Sequence, residues 1–146
     1  MIPSRPPRRA RRRAGEARGL ESRTLKLQLA TTGNLNTITA YGEGFIAVNG
    51  ERHAGSLVVL PERVLPWAAA SFDEMTVDHV AEIAALAPEV VLLGTGTRQR
   101  FPHPSLLRPL TSARIGIEVM DTHAACRTYS ILVSEGRKVA AALFVA

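Results

Sequence analysis

The sequence predicts a layered α/β fold built on a mixed sheet. Four consecutive apolar residues, Val90–Leu93, show no polar alternation, which is typical of a strand buried on both faces. A helical segment leads into this strand and another leads into Ile115–Val119, so we expect a right-handed crossover and a parallel pair of strands. Turn signals near Asn49-Gly50 predict hairpins that form a second, antiparallel sheet region.

The first half of the chain reads as short strands separated by turns. Asn49-Gly50 supplies the two residues with positive φ that a type I′ hairpin turn needs. Pro66 argues for an edge position for the strand that contains it, because proline has no N–H to donate. We expect Trp67 to cover the core with its indole N–H bonded to an acceptor. The predicted strands are Thr37–Tyr41, Phe45–Val48, Glu51–Ala54, Ser56–Leu60 and Val64–Trp67.

Helices and strands alternate in the second half. Thr76 is a predicted N-cap, and Pro88 ends the helix that it begins. The apolar face predicted for this helix consists of Val77, Val80, Ala84 and Ala87. A short, partly 3₁₀ segment around Pro104 to Leu110 leads to the strand Ile115–Val119. Asp121 then caps a helix that runs to about Ser134, and Val139–Val145 is the final strand.

Composition limits the protein class. A chain of 146 residues has the length of one domain, and no run approaches the ~18 apolar residues of a membrane span. We therefore expect a protein that is not integral to a membrane. A single cysteine, Cys126, excludes a disulfide framework within the chain and fits a reducing, cytoplasmic compartment.

The positive charge is concentrated in an N-terminal tail. Residues 1–23 contain eight arginines and two glutamates, a net charge of +6, whereas residues 24–146 contain ten basic and eleven acidic side chains, a net charge of −1. The tail is rich in Arg and Pro and poor in large apolar residues, so we predict that it is disordered and that residues 24–146 form a single α/β domain. The tail is alternatively a contact for nucleic acid or anionic membrane, a targeting peptide, or an over-extended gene start.

Two loops are the candidate ligand site. In an open α/β sheet, ligands favour the crevice beyond the carboxyl ends of parallel strands. One predicted strand runs into Gly94-Thr95-Gly96-Thr97-Arg98, and the other runs into Asp121-Thr122. The glycine N–H groups and Arg98 are suited to a small anion, and Asp121 to a cation or to a role as base. The alternatives are structural, with the glycines making a tight turn and Asp121 capping a helix.

Other chemistries lack a motif. The four histidines do not have the i, i+4 spacing of a helical metal site, and a zinc knot would need a second cysteine, so we predict no metal and no cofactor. Hydrolase chemistry is disfavoured because no Gly-x-Ser-x-Gly turn presents a nucleophile. Aromatic residues do not interleave with basic ones, so the folded domain is not expected to bind nucleic acid. Cys126 is expected to be a buried, inert thiol.

Several segments together resemble a family of small proteins filed as a domain of unknown function. They are residues 90–96 (Val-Val-Leu-Leu-Gly-Thr-Gly), Phe101-Pro102, residues 116–122 (Gly-Ile-Glu-Val-Met-Asp-Thr) and residues 125–129 (Ala-Cys-Arg-Thr-Tyr). The family includes the mitochondrial complex I assembly factor 3 and an adipogenesis-associated protein, beside uncharacterised bacterial members. The resemblance covers residues 25–146 and implies a three-layer fold with a central mixed sheet, helices and a further β layer. It implies no catalytic residues, and Ser130 departs from the family pattern, which has asparagine there.

Two functional hypotheses follow. The first is a non-enzymatic interaction domain with protein partners, which assists assembly of a respiratory or membrane complex, as the resemblance suggests. The second is a domain that binds a small molecule or anion, with its site between Gly94–Arg98 and Asp121–Thr122. Under this hypothesis the domain is either a binding domain alone or an enzyme. The sequence leaves the oligomeric state open.

Overall fold

The structure is a computed structural model, and it describes residues 35–146. The predicted tail at residues 1–23 and the start of the predicted domain at residue 24 lie outside the described residues and stay predictions.

Within residues 35–146, eight strands form two sheets. A three-stranded antiparallel sheet has the order β1-β2-β3, and a five-stranded mixed sheet has the order β5-β4-β8-β6-β7. The strands are β1 (Ile38–Gly42), β2 (Phe45–Val48), β3 (Glu51–His53), β4 (Leu57–Leu60), β5 (Arg63–Pro66), β6 (Val90–Gly94), β7 (Gly116–Met120) and β8 (Val139–Leu143). The mixed sheet, the parallel pair β6–β7 and the separate antiparallel sheet confirm the predicted fold class.

In the part of the chain that the structure describes, three helices and two 3₁₀ segments join the later strands. They are α1 (Val77–Ala84), α2 (Arg108–Ser112), α3 (Thr122–Ser134) and the 3₁₀ segments Phe72–Glu74 and Pro104–Leu107. Thr76 and Asp121 cap α1 and α3 through their side chains, as predicted. The imidazole of His79 completes a capping box by accepting from the Thr76 N–H. None of the described helices has the length and apolarity needed to cross a bilayer.

The five-stranded sheet separates two cores, because successive side chains of a strand point to opposite faces. In β6, Val91 and Leu93 belong to one core, and Val90 and Leu92 belong to the other. Helices α1 and α2 cover the first face, whereas α3 and the three-stranded sheet cover the second. The result is three layers with β6 and β8 at the centre, which is the predicted architecture.

The hairpin and the edge strand are also as predicted. Asn49 and Gly50 both have positive φ, at 54° and 86°, as a type I′ turn requires. The strand that contains Pro66 lies at the edge of the main sheet. The indole of Trp67 donates to the carbonyl of His79 at 3.2 Å.

Two details differ from the prediction. Val80 and Ile83 are buried on the inward face of α1 and the predicted Ala84 packs against the same core, whereas Val77 is 42% exposed and Ala87 lies beyond the helix end. The final strand ends at Leu143 and not at the predicted Val145, and it pairs with β4 on one side and β6 on the other. Its residues 140–142 are all alanine and all fully buried.

Candidate functional site

The ends of β6 and β7 meet, as the sequence predicts for neighbouring parallel strands. The N–H of Thr95 donates to the carbonyl of Met120 at 2.9 Å, and the N–H of Thr122 donates to the carbonyl of Gly96 at 2.9 Å. The hydroxyl of Thr122 accepts a further bond from the N–H of Gly96, at 2.8 Å. These bonds define a strand-end junction, which consists of residues 94–96 and 120–122.

The hydroxyl of Thr122 forms its hydrogen bonds within the junction and with the segment that follows β8. Thr122 is 0% exposed, and besides accepting from Gly96 its Oγ1 donates to the carbonyl of Phe144 at 2.5 Å. Burying a hydroxyl without partners is costly, and here both a donor and an acceptor are provided. The geometry therefore gives Thr122 a structural role in joining β6, α3 and the segment after β8.

Gly94 is also required by packing at this place. A Cβ at residue 94 would lie 2.9 Å from Leu143 Cδ2 and 3.0 Å from both Cα and Oγ1 of Thr122. Backbone atoms cannot move away from such a contact as a flexible side chain can. Absence of a side chain at Gly94 is what lets the start of α3 approach the end of β6.

Thr95 fixes the loop that follows β6. Its buried hydroxyl donates to the carbonyl of Arg98 at 2.7 Å and accepts from the N–H of Arg100 at 3.1 Å. The side-chain amide of Gln99 donates to the carbonyl of Val119 at 2.8 Å. The loop is thus fastened to β6 and to β7, and only part of its length is exposed.

Asp121 serves as a helix cap. Its carboxylate accepts from the N–H of Ala124 at 2.9 Å, the usual N-cap bond of α3. Residues 35–146 contain no group of three His, Cys, Asp or Glu side chains placed to hold a metal ion. Nothing in this geometry assigns Asp121 a ligand or a proton to transfer.

A cavity of about 500 Å³ opens beside the junction. Four of the predicted site residues, Thr95, Gly96, Thr97 and Arg98, line it, whereas Gly94, Asp121 and Thr122 do not. The remaining wall comes from segments that precede the strands β2 and β4, that precede α1, and that follow β8: Gly44, Ala54–Ser56, Ala70–Asp73, Arg100 and Phe144–Ala146. The structure thus brings together one of the two predicted loops with segments that were not predicted to be near it.

An ion pair forms one side of the cavity. Arg100 Nη2 lies 2.6 Å from Asp73 Oδ1, and the Arg100 guanidinium lies 4.2 Å from the ring centre of Phe72. The hydrogen bond and the charge of Arg100 hold the pKa of Asp73 below its ordinary value, and the charge of Arg98 adds to this effect. Arg98 itself is exposed and forms no side-chain hydrogen bond or ion pair with any residue in 35–146.

Several residues of this region carry no local sequence signal. Asp73 and Arg100 are 27 positions apart, so no short motif announces their pairing, and the sequence did not predict it. Phe101 is 73% exposed, and the sequence singled it out only within the Phe-Pro pair of the family resemblance.

Away from the cavity, the rings of Tyr41 and His123 lie 4.6 Å apart, and Arg127 donates to the Tyr41 hydroxyl at 3.3 Å.

Cys126 is buried in the core between α3 and the sheet. Burial raises the pKa of its thiol to about 12, so the reactive thiolate is scarce at neutral pH. This agrees with the prediction of an inert thiol.

A known protein family matches most of the described chain. The family described as "Protein of unknown function (DUF498/DUF598)" matches residues 38–144. Those residues include every strand and helix of the described structure.

Similar proteins include curated relatives and solved structures. A protein of Xenopus tropicalis named NADH dehydrogenase [ubiquinone] 1 alpha subcomplex assembly factor 3 is 35% identical over 107 residues, which are 72% of this chain and 58% of that protein. An uncharacterised protein of Rhodobacter capsulatus is 37% identical over 108 residues, 73% of this chain and 82% of the relative. A crystal structure of a Bordetella parapertussis protein superposes with a TM-score of 0.73 at 45% identity, covering 77% of this chain and 97% of that one. The chain therefore spans little more than half the length of the named assembly factors.

Proposed function

The chain belongs to the DUF498/DUF598 family of proteins of unknown function, and on that premise we propose that it is a non-enzymatic interaction domain that assists assembly of a respiratory or membrane complex. The observation that carries the proposal is that relatives named as complex I assembly factors match 107 and 108 residues, 72% and 73% of this chain, at 35% and 36% identity. An assembly factor works by binding other proteins, so the partners of this chain are proteins.

The chemistry of the strand-end junction and of Cys126 supports a binding role over a catalytic one. The hydroxyls of Thr95 and Thr122 are already bonded to neighbouring backbone groups. The thiol of Cys126 is buried and strongly disfavours its charged form. A nucleophile needs an accessible, activated side chain, whereas these hydroxyls are already hydrogen-bonded and this thiol is buried.

A gene deletion in the source cells tests the proposal. We expect blue-native gels of the deletion strain to show less of at least one mature respiratory or membrane complex, together with accumulation of a smaller intermediate. Expression of the full chain should restore the mature complex. Unchanged amounts and assembly rates of all such complexes would contradict the proposal.

The partner and location of the chain are parts of the same proposal. We place the chain in the cytoplasm, at the face of the membrane where subunits are assembled, and fractionation of the source cells measures this. Recovery of the chain on the far side of the cytoplasmic membrane would contradict the cytoplasmic assignment. The binding role would then depend on the result of the gene deletion alone.

One observation favours a second candidate function, binding of a small anion at the predicted loop. Thr97 and Arg98 line the cavity, and their backbone N–H groups have no hydrogen-bond partner among residues 35–146. Together with the Arg98 guanidinium, they are donors suited to an anion. Isothermal titration with inorganic phosphate tests this function, and an Arg98→Ala variant that binds equally well would contradict it.

A further inference from the structure

We propose that the cavity beside the junction, together with Phe101, is the surface by which this domain holds a partner, and that it takes an extended segment carrying a carboxylate next to an apolar side chain. The inference rests on the proposed function, because it names the chemistry of the partner that an assembly domain would bind.

The charge at the cavity mouth favours a carboxylate. Asp73 is already neutralised by Arg100 at 2.6 Å, which leaves Arg98 as an exposed cation without an ion-pair partner among the described residues. In the same loop, the backbone N–H groups of Thr97 and Arg98 have no hydrogen-bond acceptor among residues 35–146. A carboxylate can accept charge-assisted hydrogen bonds from the guanidinium and from these amides together.

The wall of the cavity favours an apolar neighbour for that carboxylate. The ring of Phe72 is half-buried, lies edge-on to the ring of Phe144 with centroids 6.3 Å apart, and is covered on one side by the guanidinium of Arg100. Phe144 in turn stacks on Trp67 at 4.8 Å. The aromatic surface is thus held in place before a partner arrives, so little ordering is needed on binding.

Phe101 adds an exposed anchor next to Arg100, which lines the cavity. It directly follows Arg100, and it is 73% exposed, more than the other large exposed apolar residues of the described chain, Val77 and Ile131. Aromatic and arginine side chains contribute much of the energy in protein interfaces. Arg98, Arg100 and Phe101 lie within four consecutive residues, a combination that fits an interface better than a small-molecule pocket.

The loop that carries these residues is preorganised. The hydroxyl of Thr95 binds backbone groups of both Arg98 and Arg100, and the Gln99 side chain is tied to β7. A buried Pro102 follows Phe101 and restricts the backbone there. Since the loop is fixed from both sides, its exposed side chains are displayed by rigid backbone.

Site-specific photo-crosslinking in the source cells tests the proposal. The full chain carries p-benzoylphenylalanine in place of Phe101, or in place of Ile131 on α3 as a matched exposed control. After irradiation, mass spectrometry identifies the crosslinked peptide of the partner. We expect Phe101 to give one discrete segment with Asp or Glu beside an apolar residue, and Ile131 not to give that segment.

Charge reversal supplies the matched variants. In the Phe101 crosslinking background, Arg98→Glu should lower the yield about tenfold, because a charge-assisted hydrogen bond becomes a repulsion. Arg63→Glu makes the same charge change at the exposed edge strand β5 and should leave the yield unchanged. Circular dichroism confirms that each variant is folded. A segment without a carboxylate, or equal yields for Arg98→Glu and Arg63→Glu, would overturn the proposal.

Affinity capture distinguishes failure of this surface from failure of the proposed function. If the wild-type chain recovers respiratory subunits and Arg98→Glu recovers them equally, this surface is wrong and the proposed function stands. If the wild-type chain recovers none, the proposed function fails on its own.

An NMR titration with inorganic phosphate distinguishes a partner segment from a small anion. We expect no saturable shift of the Thr97 and Arg98 amides at sub-millimolar phosphate. Saturable shifts in that range, without competition from the crosslinked partner peptide, would assign the cavity to a small anion and overturn the partner proposal.

Discussion

Replacing Thr122 by valine tests whether Thr122 has a structural role in the junction or a role in binding a ligand. Valine keeps the shape of threonine but removes Oγ1, which accepts from Gly96 at 2.8 Å and donates to Phe144 at 2.5 Å. Each buried group left without a partner costs about 1–3 kcal/mol, and the partly exposed Gly96 N–H lies at the low end. We therefore expect Thr122→Val to lower the free energy of unfolding by about 2–4 kcal/mol.

Urea denaturation followed by tryptophan fluorescence measures this difference. Trp67 is the single tryptophan and is buried against Phe144, so its emission reports the state of the core next to the junction. With a slope of about 1.5 kcal/mol per molar urea, the midpoint of Thr122→Val should fall by roughly 2 M at an unchanged slope.

The control keeps the hydroxyl. Thr122→Ser retains both hydrogen bonds and loses one methyl group, so its stability should fall by about 1 kcal/mol. A Thr122→Val variant as stable as the wild type, or less affected than Thr122→Ser, would refute the assignment of Thr122 to the structural junction.

Further variants test the packing, the charges and the thiol. Gly94→Ala should lose about 1–3 kcal/mol of unfolding free energy in the same assay, because its Cβ would contact the Thr122 backbone. The control Gly55→Ala has open space around its Cβ and should be nearly as stable as the wild type. Equal losses for the two variants would contradict the packing account. Glu89 has its pKa lowered by the N–H of Lys138 and the side chain of Arg137, so its contribution to stability is present above its ordinary value of 4.5 and is lost as pH falls through the folded pKa. Glu89→Gln should thus be less stable than the wild type at pH 7 and match it in strong acid, and a difference that persists there would contradict the ion-pair origin. Cys126 should resist a thiol-specific aromatic disulfide reagent at pH 8 in the native protein and react fully in urea; rapid native reaction would contradict its burial.

Local signals predicted much of the fold. The hairpin at Asn49-Gly50, the caps at Thr76 and Asp121, and the acceptor for the Trp67 indole all depend on residues close in sequence or on a single unmet bonding group. The uninterrupted apolar run at Val90–Leu93 correctly indicated a strand covered on both faces.

Long-range placement could not be predicted in the same way. The insertion of β8 between β4 and β6 depends on pairings across more than 40 positions, and residue periodicity says nothing about strand order. Val80 and Ala84 were placed correctly on the inward face of α1, but Val77 was predicted there in place of Ile83, because both are strongly apolar and only the approach angle of the helix decides which is buried.

The candidate site shows the same limit. The meeting of the two strand-end loops followed from parallel pairing, and the structure confirms it. That Thr122 would be sealed between Gly96 and Phe144 has no sequence signal, since its partners lie 26 and 22 positions away. The cavity was missed in part because Asp73 and Phe72 reach it from a segment far from the loop in sequence.

Affinity capture of the tagged full chain from its source cells, followed by quantitative mass spectrometry, tests most directly whether this is an assembly domain. We predict reproducible enrichment of subunits of one respiratory or membrane complex over a tag-only control, with loss of that enrichment for Arg98→Glu and its retention for Arg63→Glu. A folded wild-type chain that enriches no such subunit would contradict the assembly role.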